Sequence, residues 1–212
     1  MPFLPDRAID DLNDVADTLR RVTVVISADL PSGRSAATSR GSGIIWSSDG
    51  TIVTNAHVAT ADRLAVTFSD GRHVQASVVA RDRRRDLALL RIDPRKAPDP
   101  LPVPVIGTPT DLRPGELVLA LGHPFGVEHA LAMGVVHLAP NARRSPYVAA
   151  DIRLAPGNSG GPLADARGRV VGVNSMIVGG LGVAISSDVV RRMVSRVAAT
   201  VRARSSANRD AA

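Results

Sequence analysis

Cysteine is absent from the 212-residue chain, which removes a disulfide framework and any thiolate metal site together. Aromatic residues are nearly as scarce: one Trp, one Tyr and three Phe leave few flat faces on which nucleobases could stack. Lysine occurs once, at Lys96, so arginine carries almost all of the basicity behind the formal charge of +6. The basic clusters at Arg81 to Arg85, Arg143 to Arg144 and Arg191 to Arg192 read as solvated faces, and no nucleic-acid partner is expected. No apolar run approaches transmembrane length, and Met1 to Arg21 is acidic, without the charged-then-apolar layout of a secretion signal. As written, the chain is expected to be cytoplasmic, or extracytoplasmic if an N-terminal signal or anchor has been removed.

What is present is apolar and turn-rich. At 44% hydrophobic residues the chain can bury a sizeable core, and 18 Gly and 15 Pro among short runs of Val, Ile and Thr favour short strands over long helices. Ile9, Leu12, Val15, Ala16 and Leu19 have helical spacing, which predicts a short amphipathic helix over Ala8 to Arg21. Val22 to Leu30 is strand-like, and Pro31 to Gly43 reads as a polar loop. Strand-and-turn texture then continues to Ile92, giving a first β unit over about 22–93. Asp93 to Pro104 packs in five prolines and reads as an extended linker. The same texture over about 105–187 gives a second unit of similar size, so paired barrels are expected. Val189, Val190, Met193, Val194 and Val197 predict a terminal helix over about 188–204 docked on the second unit, with Ser205 to Ala212 frayed.

Ala155 to Leu163, APGNSGGPL, crowds three glycines and two prolines around Ser159. Without a Cβ, Gly157 and Gly160 let the backbone aim neighbouring amides into one small space, suited to a developing oxyanion at Gly157 and Ser159. The letters also fit a Gly-x-Ser-x-Gly nucleophile elbow, but an elbow enzyme runs Ser, acid, His, and all five histidines here precede Ser159. The order His, Asp, Ser remains open. TNAHV (Thr54 to Val58) offers His57 as a general base, and RRRDLALLRI (Arg83 to Ile92) offers Asp86 as its orienting acid. Asp86 stands directly before an apolar run, whereas Asp82 lies in a charged stretch, so Asp86 is the better partner for His57.

With GHPFG and GRVVGVNSM, these motifs resemble the HtrA (DegP-like) branch of the trypsin-like serine proteases across about residues 15–190. The resemblance implies an all-β fold of two six-stranded barrels with a cleft between them, and cleavage of unfolded or damaged polypeptides through an acyl-enzyme. It implies His57 as base, Asp86 as orienting acid, Ser159 as nucleophile and the amides of Gly157 and Ser159 as oxyanion hole. No cofactor or metal is implied. The chain ends soon after Ser159, so the family's usual PDZ module is expected to be absent, and Asn158 stands where secreted trypsins bind a freed N-terminus with an aspartate.

By motif, the walls of the specificity pocket are Arg153, Leu154 and Ala155, then Asn174, Ser175 and Met176, then Gly182, Val183 and Ala184, with substrate added as a strand along Ser175 to Ile177. Arg153 departs from the family's small or aliphatic residues: turned inward it would select acidic side chains, and turned outward or paired with Asp151 it would leave an aliphatic pocket, the preferred reading. His123, His129, His137 and Glu128 match no zinc spacing. His123 itself stands where the family usually has Asn or Ser. Phe125 and Phe3 are candidate contacts for a homotrimer. A reading of another class stays open: a proteolytically idle or gated barrel pair that binds unfolded chains or another protein.

Overall fold

The computed structural model describes residues 6–28, 40–124, 127, 129–141 and 145–210. Its elements are α1 (Asp6–Val22), β1 (Thr23–Ser27), β2 (Arg40–Ser47), β3 (Thr51–Thr54), β4 (Arg63–Thr67), β5 (His73–Asp82) and β6 (Leu87–Arg91), then β7 (Leu117–Gly122), β8 (Ala130–Leu138), β9 (Tyr147–Asp151), β10 (Pro162–Asp165), β11 (Val170–Val178), β12 (Leu181–Ser186) and α2 (Ser187–Asp210). All strand pairs are antiparallel and close into two barrels, ordered β1-β2-β3-β6-β5-β4 and β7-β8-β9-β12-β11-β10. The two orders are the same pattern shifted by six strands. The expectation of an all-β pair of six-stranded barrels with a helix at each end is met.

Three apolar clusters follow from strand alternation. Ile26, Ile45, Ile52, Ala88 and Leu90 fill the first barrel, and Val118, Ala120, Val136, Val148 and Val171 fill the second. The third cluster is the seam between barrels. Ile44, Val53, Leu87 and Leu89 meet Leu119, Leu121, Val173 and Ile185 there, joined by Leu19 of α1 and by Val189, Val190 and Met193 of α2. Strands β3, β6 and β7 are therefore buried on both faces, one toward a barrel interior and one toward the seam, which is why their sequences run apolar without alternating. The seam also explains the amphipathic stripes of both helices, which cover its open ends.

Some boundaries differ from the sequence expectation. β2 begins at Arg40, so Arg40 to Gly43 are strand, not loop; the glycines that suggested a loop mark close packing, since a Cβ at Gly41 would lie 2.6 Å from Val58. The second barrel's first strand starts at Leu117, not near residue 105, although Ile106 pairs with Val170 as an isolated bridge. The proline-rich stretch holds a short 3-10 turn at Pro94–Lys96 capped by Asp93, and Ala97 and Leu101 seal the first barrel. α2 continues to Asp210, because no Gly or Pro interrupts its Ala- and Arg-rich end, so the expected fraying at Ser205 is not seen. Among the described residues no helix is long and apolar enough to cross a membrane.

Leu89, 1% exposed in the seam, is expected to cost about 2–5 kcal/mol on replacement by Ala, whereas Val79, 43% exposed, should cost less than about 1 kcal/mol. Urea unfolding of both variants checks this, and equal effects would mean the barrels are not held by the seam.

Candidate active site

The sharp turn between β5 and β6 delivers Asp86 to the lip of the seam. Asp86 takes a left-handed backbone, φ 54°, a conformation Asp tolerates better than most residues, and its carbonyl accepts from Asn55 Nδ2 at 2.9 Å. On the neighbouring strand of the same barrel, the chain leaves β3 through Asn55 into a turn that exposes His57. The two side chains meet. His57 donates its backbone N–H to Asp86 Oδ1 at 3.0 Å, and its Nδ1 lies 2.8 Å from Asp86 Oδ2. Ser175 Oγ, from β11 of the second barrel, donates to the same Oδ2 at 2.7 Å.

Burial, the largest single influence on Asp86, raises its pKa, but the bonds from His57 and Ser175 together outweigh it and hold the carboxyl below 3.8. An ionised carboxylate can only accept, so Nδ1 of His57 carries the proton and Nε2 is left bare. The hydrogen bond that His57 donates to Asp86 raises the His57 pKa above 6.5 against the opposing effect of burial.

Ser159 sits between two glycines of left-handed backbone, Gly157 at φ 106° and Gly160 at φ 86°. Neither could carry a side chain: a Cβ at Gly157 would meet the His123 carbonyl at 2.3 Å, and one at Gly160 would meet the Ser42 carbonyl at 2.0 Å. Ser42 Oγ donates to the Gly157 carbonyl at 2.7 Å, Ser42 N–H to the Ser159 carbonyl at 2.8 Å, and Asn158 N–H to the Ala155 carbonyl at 3.0 Å. Among the described residues, the amides of Gly157 and Ser159 have no protein acceptor. Ser159 Oγ donates to the Ser175 carbonyl at 3.3 Å, long for an O–H···O bond, and no hydrogen bond joins it to the His57 ring.

A cleft of about 250 Å³ opens beside Ser159, lined by Leu154, Ala155, Pro156, Asn158, Asn174, Ser175, Met176 and Ile177. Of the expected wall, Arg153, Gly182, Val183 and Ala184 do not line it. Arg153 is exposed and forms no ion pair with Asp151 among the described residues, while Val183 and Ala184 are buried in the second barrel's sheet. Gly182 acts from below, since a Cβ there would press on Leu154 at 3.0 Å. Pro156 and Asn158 were not anticipated as lining residues, nor was the bond of Ser175 to Asp86. The His123 and His129 rings meet edge-on at 4.9 Å, but no group of three His, Cys, Asp or Glu that could hold a metal occurs among the described residues. Phe3, Phe125 and Glu128 lie outside the described residues.

Two consequences for titration follow. The His57 ring, followed by NMR in Ser159→Ala, should titrate above 6.5, and Asp86→Asn should lower that value; titration at or below 6.5 would mean the pair is not formed. Because the folded pKa is the higher one, the pair's contribution to stability is complete below 6.5 and fades as pH rises through the folded value.

The model of the trypsin-like peptidase domain matches residues 41–173. A probable periplasmic serine endoprotease, DegP-like, of Pseudomonas putida is 44% identical over 146 residues, 66% of this chain and 30% of the relative. Serine protease HTRA1 of Xenopus tropicalis is 35% identical over 207 residues, 90% of this chain and 44% of the relative. The chain thus spans less than half the length of these relatives. Among solved structures, the HtrA-type protease AlgW with tripeptide superposes with a TM-score of 0.76 at 29% identity, covering 87% of this chain and 62% of that one. The serine endoprotease from Yersinia pestis gives 0.74 at 27% identity, covering 93% and 67%. With two six-stranded barrels, a His57–Asp86 pair and Ser159 at the seam between them, the chain belongs to the trypsin-like peptidase domain family, in its HtrA/DegP-like branch.

Proposed function

We propose that this chain is a serine endopeptidase that cleaves unfolded or damaged polypeptides through an acyl-enzyme formed on Ser159. The observation that carries the reading is that the His57–Asp86 pair and Ser159 meet at Ser175, whose hydroxyl donates to Asp86 and whose carbonyl receives the Ser159 hydroxyl, beside two amides, of Gly157 and Ser159, that have no acceptor among the described residues. Bare Nε2 of His57 takes the Ser159 proton as Oγ attacks a peptide carbonyl, and Asp86 holds the tautomer and stabilises the imidazolium that results. The carbonyl oxygen, now an anion, is received by the amides of Gly157 and Ser159. His57 then returns the proton to the leaving amine, and water repeats the sequence to release the acyl group.

β10 pairs with β11 only as far as Val173, while β11 continues to Val178 with Met176, Ile177 and Val178 exposed. An extended chain can add along that free edge, using backbone hydrogen bonds for affinity and the cleft for one side chain. The cleft's size and its Leu154, Ala155, Met176 and Ile177 walls favour a small aliphatic side chain, and exposed Arg153 stands outside it. No cofactor is needed for this chemistry. The periplasmic relatives favour the extracytoplasmic alternative over the cytoplasmic expectation. A homotrimer stays a proposal without support among the described residues. The long bond from Ser159 Oγ to the Ser175 carbonyl favours a gated form, in which rotation of the hydroxyl toward His57 accompanies substrate binding.

Two tests are direct. Exposure to a small sulfonyl fluoride should add one adduct by intact mass to the parent chain and none to Ser159→Ala, which should also lose casein cleavage while melting within a few degrees of the parent; equal cleavage by the variant would sink the assignment. Across a peptide library, Arg153→Ala should leave preference for small aliphatic residues unchanged, and loss of a preference for Glu or Asp would show instead that Arg153 reaches the bound side chain.

A further inference from the structure

His123 is 2% exposed, a titratable side chain sealed beneath the loop that carries Ser159, and the proposed chemistry does not use it. Its only side-chain hydrogen bond among the described residues is between Nδ1 and Ser42 Oγ, at 3.0 Å. The direction of that bond follows from the shorter of the two contacts of the Ser42 hydroxyl and from an Nε2 that has no acceptor for a proton of its own among the described residues. Ser42 has one hydroxyl proton, and the Gly157 carbonyl 2.7 Å away can only accept, so the proton is committed there. Ser42 Oγ must therefore accept from His123 Nδ1–H, and it also accepts from the His123 backbone N–H at 3.2 Å. Both lone pairs of the serine oxygen are then filled from one residue.

The peptide between Gly157 and Asn158 is clamped as a result. Its carbonyl receives Ser42 Oγ–H, with the His123 amide shared at 3.3 Å, and its N–H is held by the Ala155 carbonyl at 3.0 Å. The next peptide toward the N-terminus carries the Gly157 amide, one of the two donors proposed for the oxyanion. Gly157, at φ 106°, is the joint between the two planes, so a fixed 157–158 peptide leaves few rotations to the amide that must face the substrate.

Resting on the function proposed above, we propose that His123 is a positioning residue for the oxyanion-binding loop: its Nδ1–H commits the Ser42 proton to the Gly157 carbonyl and so holds the Gly157 amide in place. In the opposite tautomer Ser42 would turn its proton to the bare Nδ1, leave the Gly157 carbonyl only the His123 amide at 3.3 Å, and bury an Nε2–H that has no acceptor among the described residues. The charged form is disfavoured too. Burial, with His129 at its ring edge and Arg40 nearby, lowers the His123 pKa to about 4, and among the described residues Nε2 has no partner to receive a second N–H. His123 is thus a neutral, fixed donor across the pH range in which His57 can act as base.

The test pairs His123→Leu with His123→Asn, because Asn Nδ2 sits the same number of bonds from the backbone as His Nδ1 and can donate to Ser42, whereas Leu cannot. On a chromogenic peptide, His123→Leu should lose at least about tenfold in kcat with KM within about twofold, since loss of a full oxyanion donor costs about 10²–10³. His123→Asn should recover most of that loss, and sulfonyl fluoride inactivation rates should follow the same order. Equal kcat in the parent and the Leu variant, or equal loss in both variants at matched melting temperature, would overturn the proposal. Should the Leu variant fail to fold, Ser42→Ala gives the same readout. Long-range nitrogen-15 correlations on the parent chain decide the tautomer without any activity: protonated Nδ1 supports the assignment, and protonated Nε2 overturns it. A parent chain inert to sulfonyl fluoride would instead remove the proposed protease function, leaving the tautomer measurement standing alone.

Discussion

Ser42 grips the loop of Ser159 from the other barrel, its amide on the Ser159 carbonyl and its hydroxyl on the Gly157 carbonyl, while its own carbonyl receives Thr54 Oγ1 at 2.6 Å. Thr54 ends the strand from which the His57 turn departs. One residue thus ties the loop of Ser159 to the strand that leads into the His57 turn. The tie tolerates almost no slack, since the Ser42 carbonyl occupies the space a side chain at Gly160 would need. Gly160 doubles back under the Ser42 backbone of the other barrel and Gly157 under His123 of its own, and only residues without a Cβ allow that approach at positive φ.

Such a junction would shift if the barrels slid against each other by even an ångström, and the apolar seam prevents this. Leu87 and Leu89 continue the chain directly from Asp86, Val53 lies just before Thr54, and Leu121 lies just before Gly122 beside the loop of Ser159. Each polar group of the site is therefore the end of a strand already anchored in the seam. Polar atoms can be held at fixed separations in a partly buried place because non-directional packing nearby resists their drift. The helices extend the same role, α1 through Leu19 and α2 through Val190.

Much of this was legible in the chain. Two strand-and-turn units of similar size pointed to paired barrels, and Asp86 was preferred to Asp82 because it precedes an apolar run; in the structure Asp82 pairs with Arg85 and Asp86 with His57. The proximity of His57, Asp86 and the Ser159 loop followed from motif order. What the sequence could not convey was contact between residues distant along it. Ser42 lay in what read as a loop because two glycines flank it, yet those glycines serve close packing in a strand. Ser175 was assigned to the substrate wall, and only the fold shows its hydroxyl turned to Asp86. Arg153, read from motif as a wall residue, is exposed outside the cleft while its neighbours Leu154 and Ala155 line it, a difference of side-chain direction between successive residues that motif position does not give.

Barrel closure has a consequence for a protein surrounded by other extended chains. A sheet with open edges invites strangers to pair along it, and a molecule that met unfolded polypeptides would risk nucleating their aggregation. Here both barrels consume their own edges, and the free edge of β11 past Asn174 lies beside Ser159. A stray strand that docks at that edge is placed next to Ser159. Under the proposed function, the architecture that closes the barrels would make capture and cleavage of such a strand a single event.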